Sequence, residues 1–208
     1  MQIKASSYSI VLAGKWNPAI ITPPWILANL VDGNQQIEIE FSLSFDIPSR
    51  FKLNNITISP SVDRIILVSN DGSDESLSLI ESIAIKLCNI LSHTPFVAVG
   101  INFSFIETLN KDKLLPLFSF SDENKLNDNN WDISNKSIKR TLKEGVYNIN
   151  LTINMDDETN FAFDLNHHYI TPTSELVSAA LLGKVIDYKN QSISLLNYLF
   201  DIQIEQNG

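Results

Sequence analysis

The run Ile37-Glu38-Ile39-Glu40-Phe41-Ser42-Leu43-Ser44-Phe45 alternates apolar and polar residues without a break. Period two puts its apolar side chains on one side of a pleated strand and the carboxylates on the other. A strand buried on both faces would not carry Glu38 and Glu40, so the pattern predicts an antiparallel sheet with one wet face.

Before this run, Tyr8 to Ala13 reads as a strand that breaks at Trp16-Asn17-Pro18. Thr22-Pro23-Pro24-Trp25 then reads as a helix start, with Thr22 capping and proline in the first turn. Asp32-Gly33-Asn34 ends that helix early, and its Trp25, Leu27 and Leu30 are expected to cover a sheet edge or end. Two short strands follow, Phe51 to Ser59 and Arg64 to Val68, reversed at Pro60-Ser61-Val62-Asp63. In the first of them apolar parity moves from Phe51 and Leu53 to Ile56 and Ile58 across Asn54-Asn55, which predicts a bulge or bend.

The period then changes. Ile80, Ile83, Ala84, Leu87, Cys88 and Leu91 recur at three- and four-residue spacing and predict a helix over 74–91, with Asp74 and Glu75 complementing its dipole. Ser92-His93-Thr94-Pro95 stops it, and Val97, Val99, Ile101, Phe103 and Phe105 mark the next strand. Residues 119–136 read as a long polar loop around Leu126 and Trp131. Strands resume over about 137–166, with Met155 to Asn160 as a hairpin tip, and helical spacing returns from Thr173 to the last apolar cluster Leu195, Leu196, Leu199 and Phe200.

These periods predict an α+β fold, antiparallel sheets packed against helices. Two similar strand-then-helix halves are expected, residues 1–110 and 111–208, joined in one compact unit or standing as a pair. No residue-level repeat accompanies them.

Composition narrows the function. With 208 residues and 44% hydrophobic content the chain is large enough to bury a core. Ile10-Val11-Leu12-Ala13 is shorter than the apolar core of a signal peptide, and no apolar run reaches the roughly 18–20 residues of a membrane helix. Cys88 is the only cysteine and falls in the helical stripe, which predicts a buried small hydrophobe in a reducing compartment. The expected location is cytoplasmic, without membrane partners. A net charge of −9 with 15 scattered basic residues argues against direct nucleic-acid binding; it favours solubility and basic partners, with a merely solvated surface as the plainer reading.

Catalytic templates find little purchase. The seven glycines never take phosphate-loop spacing, and one cysteine with three histidines does not make the usual Cys-rich zinc set, so no cofactor is expected. The strongest constellation is Asp164-Leu165-Asn166-His167-His168, in which Asp164, Asn166 and His168 share a strand face. Asp164, His167 and His168 are therefore the candidates for a metal-dependent hydrolase, against a plainer reading as groups that satisfy backbone or face solvent. His93 reads as a helix C-terminal cap, and Asp122-Glu123 and Asp156-Asp157-Glu158 as solvated turns. Trp131, Trp25 and Trp16 are the candidate interface anchors.

At Trp16-Asn17-Pro18-Ala19-Ile20-Ile21-Thr22-Pro23-Pro24-Trp25, at Ser92-His93-Thr94-Pro95-Phe96 with Gly100-Ile101-Asn102, and at Asn166-His167-His168-Tyr169, the chain resembles a sporadically distributed group of uncharacterised bacterial proteins. The resemblance implies a two-part α+β fold and the patchy distribution of accessory genes, including those used against phages. It carries over no active-site residue. Abundant apolar faces beside scarce chemistry lead to the expectation of a non-enzymatic protein-binding or scaffold component, homo-oligomeric or part of a larger assembly. The alternatives are the metal-dependent hydrolase and an antitoxin or immunity-type neutraliser that meets a basic toxin.

Overall fold

In β2 (Tyr8–Gly14) Tyr8, Ile10 and Leu12 are fully buried, while Ser9, Val11 and Ala13 between them are half-buried. That alternation recurs in β6 (Arg64–Ser69) and β10 (Asn160–Ile170) of a computed structural model, which describes residues 1–4, 7–31, 35–41, 49–157 and 160–203. Among these residues ten strands form one antiparallel sheet. Its order is β3 (Glu38–Glu40), β4 (Arg50–Leu53), β5 (Ile56–Pro60), β6 (Arg64–Ser69), β2, β7 (Phe96–Glu107), β10 (Asn160–Ile170), β9 (Tyr147–Asp157), β8 (Lys136–Glu144). The short β1 (Gln2–Ile3) pairs with β7 beyond the reach of β2.

The order reads alike from either edge inward. Each half is a meander whose last strand pairs with the half's own first strand, β6 with β2 and β10 with β7. The two first strands then meet at the centre, antiparallel, from Ser9 opposite Asn102 to Ala13 opposite Ala98. In each half a long helix follows the meander: α2 (Asp74–Ile90) in the first, α5 (Ser174–Leu181) and α6 (Val185–Phe200) in the second. Because β2 and β7 pair directly, the sheet runs unbroken from one meander to the other, and both share one core.

The helices lie on one face because that face is continuously apolar. One transverse row runs from Ile39 through Phe51, Ile58, Leu67, Ile10, Ile101, His167 and Ile149 to Leu142. Over it pack Leu77, Ile80, Ile83, Leu87 and Cys88 of α2 and Val185, Tyr188 and Leu196 of α6. Burial pushes the Cys88 thiol up to about 12, which makes it inert. The cap expected from sequence is present: Thr22 Oγ1 accepts the Trp25 N–H at 3.4 Å to open α1 (Pro23–Asn29). A second cap opens α2, where Ser73 Oγ accepts the Ser76 N–H at 3.1 Å. The start of α6 is capped from another element, since Glu81 of α2 accepts the Gly183 N–H at 2.8 Å and the Val185 N–H at 3.0 Å. Glu81→Ala is expected to lower stability by about 1–2 kcal/mol in chemical denaturation, by stranding those donors and loosening α6 from α2.

Four expectations need correction. Within the described part of the alternating run at 37–45, 37–41, the strand is the three-residue β3, and Ile39 and Phe41 stay 40% and 76% exposed because the helix layer of the described residues ends before that edge. Ser42 to Phe45 lie outside the described residues, as do Asp32 to Asn34 and Glu158 and Thr159 of the expected hairpin tip. The parity change at Asn54-Asn55 is a two-residue hairpin turn, with Asn54 at φ 47° and β4 folding back on β5. The expected loop at 119–136 holds a short helix, α4 (Glu123–Asp128), which follows α3 (Lys111–Leu114) and the 3-10 turn Leu115–Phe118. His93 is exposed, and no hydrogen bond among the described residues ties it to the end of α2.

Candidate functional site

Adjacent strand residues point to opposite faces, so β10 separates its two histidines. His167 is fully buried under α6, and His168 lies on the open face with Asp164. Asp164 and His168 are four residues apart on one strand, about 13 Å, too far to share a metal ion. The proposed cluster of Asp164, His167 and His168 is therefore not assembled, and among the described residues no three His, Cys, Asp or Glu side chains converge as metal ligands. Asp164 is held by its neighbours instead: Oδ1 accepts from Ser104 Oγ at 2.5 Å and Oδ2 from Asn154 Nδ2 at 3.3 Å.

His167 occupies the one polar position in an otherwise apolar transverse row. Tyr188 is 5.0 Å from it between ring centroids, Tyr147 stacks at 5.8 Å, and Phe103 meets it edge-on at 5.9 Å. Its Nε2 lies 2.8 Å from Ser192 Oγ, and that hydroxyl donates its own proton to the Tyr188 carbonyl, also at 2.8 Å. Nε2 must then carry the imidazole proton, which leaves Nδ1 as a buried acceptor with no hydrogen-bond partner among the described residues. Desolvation lowers its pKa to about 4. Tyr169 Oη and Tyr188 Oη, 2.7 Å apart, complete the cluster; Tyr188 donates to the Ala180 carbonyl, so Tyr169 donates to Tyr188. A neutral imidazole sealed among tyrosines has no route to substrate, and its place is that of a polar tether between sheet and α6.

The open face carries a row of side-chain hydrogen bonds across five strands. Thr141 Oγ1 donates to Asn150 Oδ1 at 2.9 Å, Asn150 Nδ2 to Asn166 Oδ1 at 3.2 Å, Asn166 Nδ2 to Asn102 Oδ1 at 2.7 Å, and Asn102 Nδ2 to Ser9 Oγ at 3.2 Å. Gly100 makes room for it, because a Cβ there would stand 2.7 Å from Asn166 Nδ2.

The three tryptophans part company. Trp16 is buried, donates Nε1–H to the Leu12 carbonyl at 3.0 Å and meets Phe96 edge-on, so it serves the core and offers no surface to a partner. Trp25 is half-buried against the core, and Trp131 is 67% exposed beyond α4. A feature that the sequence reading missed lies at the β3 edge. Pro18, Ile21 and Pro23 before and within α1, Ile39 and Phe41 at β3, Phe51 of β4, Pro60 at the end of β5 and Val62 beyond it line a groove of about 520 Å³, without a titratable side chain among the described residues. Phe41 and the 70% exposed Val62 stand at its rim.

The fold is thus that of an α+β protein whose one large antiparallel sheet is covered on a single face. No family model and no curated protein matches the chain. No helix among the described residues is long and apolar enough to cross a membrane.

Proposed function

We propose that this chain is a non-enzymatic protein-binding component of a cytoplasmic assembly, and that it meets its partner at the β3 edge of the sheet. The observation that carries this reading is the apolar groove beside β3: its volume is that of a binding site, its lining has no group fit for catalysis, and large apolar side chains stand exposed at its rim. The outer edge of β3, which pairs with no other strand among the described residues, offers backbone groups that an extended partner segment would satisfy. An accessory role, such as defence against phages, belongs to the same proposal and rests on the resemblance of the residue islands at 16–25, 92–102 and 166–169 to sporadically distributed bacterial proteins.

Val62→Asp places a charge on the groove rim at a site that takes no part in the core. The expected result is an unchanged thermal melt and loss of the proteins co-purified by the parent chain from its native host, read by affinity capture with light scattering. A parent that is strictly monomeric and captures nothing, or a Val62→Asp chain that captures the same proteins, removes the reading.

A further inference from the structure

The sheet's two outer edges are opposite in charge and alike in pattern. At one end β8 pairs only with β9, and among the described residues no further backbone hydrogen bond reaches its outer side. Lys136, at its start, is engaged by the Phe118 carbonyl at 3.1 Å and by Glu123 at 2.7 Å. Lys139, Arg140 and Lys143 are exposed and make no ion pair among the described residues, in a chain whose net charge is −9. At the other end β3 presents Glu38 and Glu40, both exposed, with Lys52 of β4 paired to Glu40.

Both edges also sort their side chains between the faces in the same way. Register through the sheet places Lys139, Thr141 and Lys143 on the open face with Glu38 and Glu40, and Leu142 on the helix face with Ile39. Leu142 is half-buried and Ile39 is 40% exposed, so each helix-side edge ends in incompletely covered apolar surface. Nine strands, each antiparallel to the next, lie along the path, so β3 and β8 run in the same direction. A second copy laid alongside with its helices on the same side would bring its β3 parallel to the first copy's β8. Carrying the transverse rows across without a shift sets Ile39 beside Leu142 and Glu40 beside Lys143, with Glu38 diagonal to both Lys139 and Lys143. It also sets the apolar groove at the end of the sheet where Val146, in the β8–β9 turn, is 88% exposed.

We propose that the β8 edge of one copy receives the β3 edge of a second copy, so that the sheet continues head to tail. This rests on the protein-binding reading above and names the partner for it. Like edges do not serve: two β8 strands would set cations against cations, and two β3 strands carboxylates against carboxylates. The heterologous contact leaves one edge of each kind open at the ends, which builds chains of copies unless the rotation between them closes a ring.

Charge reversal tests it with surface residues alone. Sedimentation velocity over a concentration series at low and high salt is run on the parent, on Lys139→Glu/Lys143→Glu, on Glu38→Lys/Glu40→Lys, and on an equal mixture of the two variants, with thermal melts to verify folding. The parent is expected to form species that grow with concentration and recede with salt. Each variant alone is expected to associate at least about tenfold more weakly. The mixture is expected to recover, because each variant's edges then find opposite charge on the other. A parent that stays monomeric, a variant that associates as the parent does, or a mixture that stays dissociated overturns the proposal. A monomeric parent that still captures a host protein in a Val62-dependent manner overturns this pairing and leaves the binding reading standing.

Discussion

As pH falls from 6.5 toward about 4, the unfolding free energy is expected to drop by roughly 3 kcal/mol through His167 alone. The folded state holds this imidazole neutral, since protonation would place a charge and an unpartnered Nδ1–H among Tyr147, Tyr188 and Phe103. The unfolded chain takes up the proton at the ordinary histidine value. Between the two pKa values the unfolded state therefore binds more protons, and stability rises with pH across that window and is complete above it. Glu107 adds to the acid sensitivity at lower pH. Burial alone would raise its carboxyl, but N–H donors from Leu109 and Asn110 and the Met1 ammonium at 3.0 Å outweigh that and hold it below the usual range. Urea unfolding at a series of pH values tests the assignment. His167→Phe should flatten the slope between the two pKa values and keep the loss at lower pH; an identical slope in parent and variant would show that another group titrates.

Phe103→Ala should cost about 3–5 kcal/mol. The ring is fully buried on β7, at the seam where the halves join, and it meets Tyr8 of β2 edge-on at 5.0 Å as well as His167 of β10. Truncation opens a void bounded by three strands of a continuous sheet, where the backbone has little freedom to collapse into it. The same substitution at Trp131, which is exposed, should change stability by no more than about 0.5 kcal/mol. Denaturant midpoints for the two variants give the comparison directly, and similar losses at both sites would contradict this placement of the core.

Much of this layout was legible in the residues, and the exceptions share a cause. The spacing of Ile80, Ile83, Leu87 and Cys88 and the alternation from Val97 to Phe105 mark α2 and β7 because both elements lie where two layers meet. The alternation at Ile37 to Phe41 is as regular, yet it reports only which side a residue would show, and no helix among the described residues extends over that edge. Asn54-Asn55 reverses parity whether the chain bulges or turns back, and the choice is made by pairing with β6. Adjacent histidines at 167 and 168 cannot share a strand face, so their separation could be read from β10 itself. The groove could not, because Pro18, Phe41 and Val62 are distant in sequence and are brought together only by the sheet. Trp16 sits among Lys15, Asn17 and Pro18 and looks superficial until the chain folds back so that its indole reaches Leu12.

Every link in the row from Thr141 to Ser9 points its proton the same way, from β8 toward β2. No carboxamide in it can turn over alone: a reversed Asn166 would set NH2 against NH2 on one side and oxygen against oxygen on the other, and a reversed Asn150 or Asn102 would set oxygen against oxygen or NH2 against NH2 at Asn166, the hydroxyl on its other side adapting. The three asparagines therefore switch orientation together or stay as they are, and their aligned dipoles polarise the solvent-facing surface along a single axis. A strand displaced by one residue would withdraw its member from the row altogether, so side chains proofread the alignment that the backbone alone would leave degenerate.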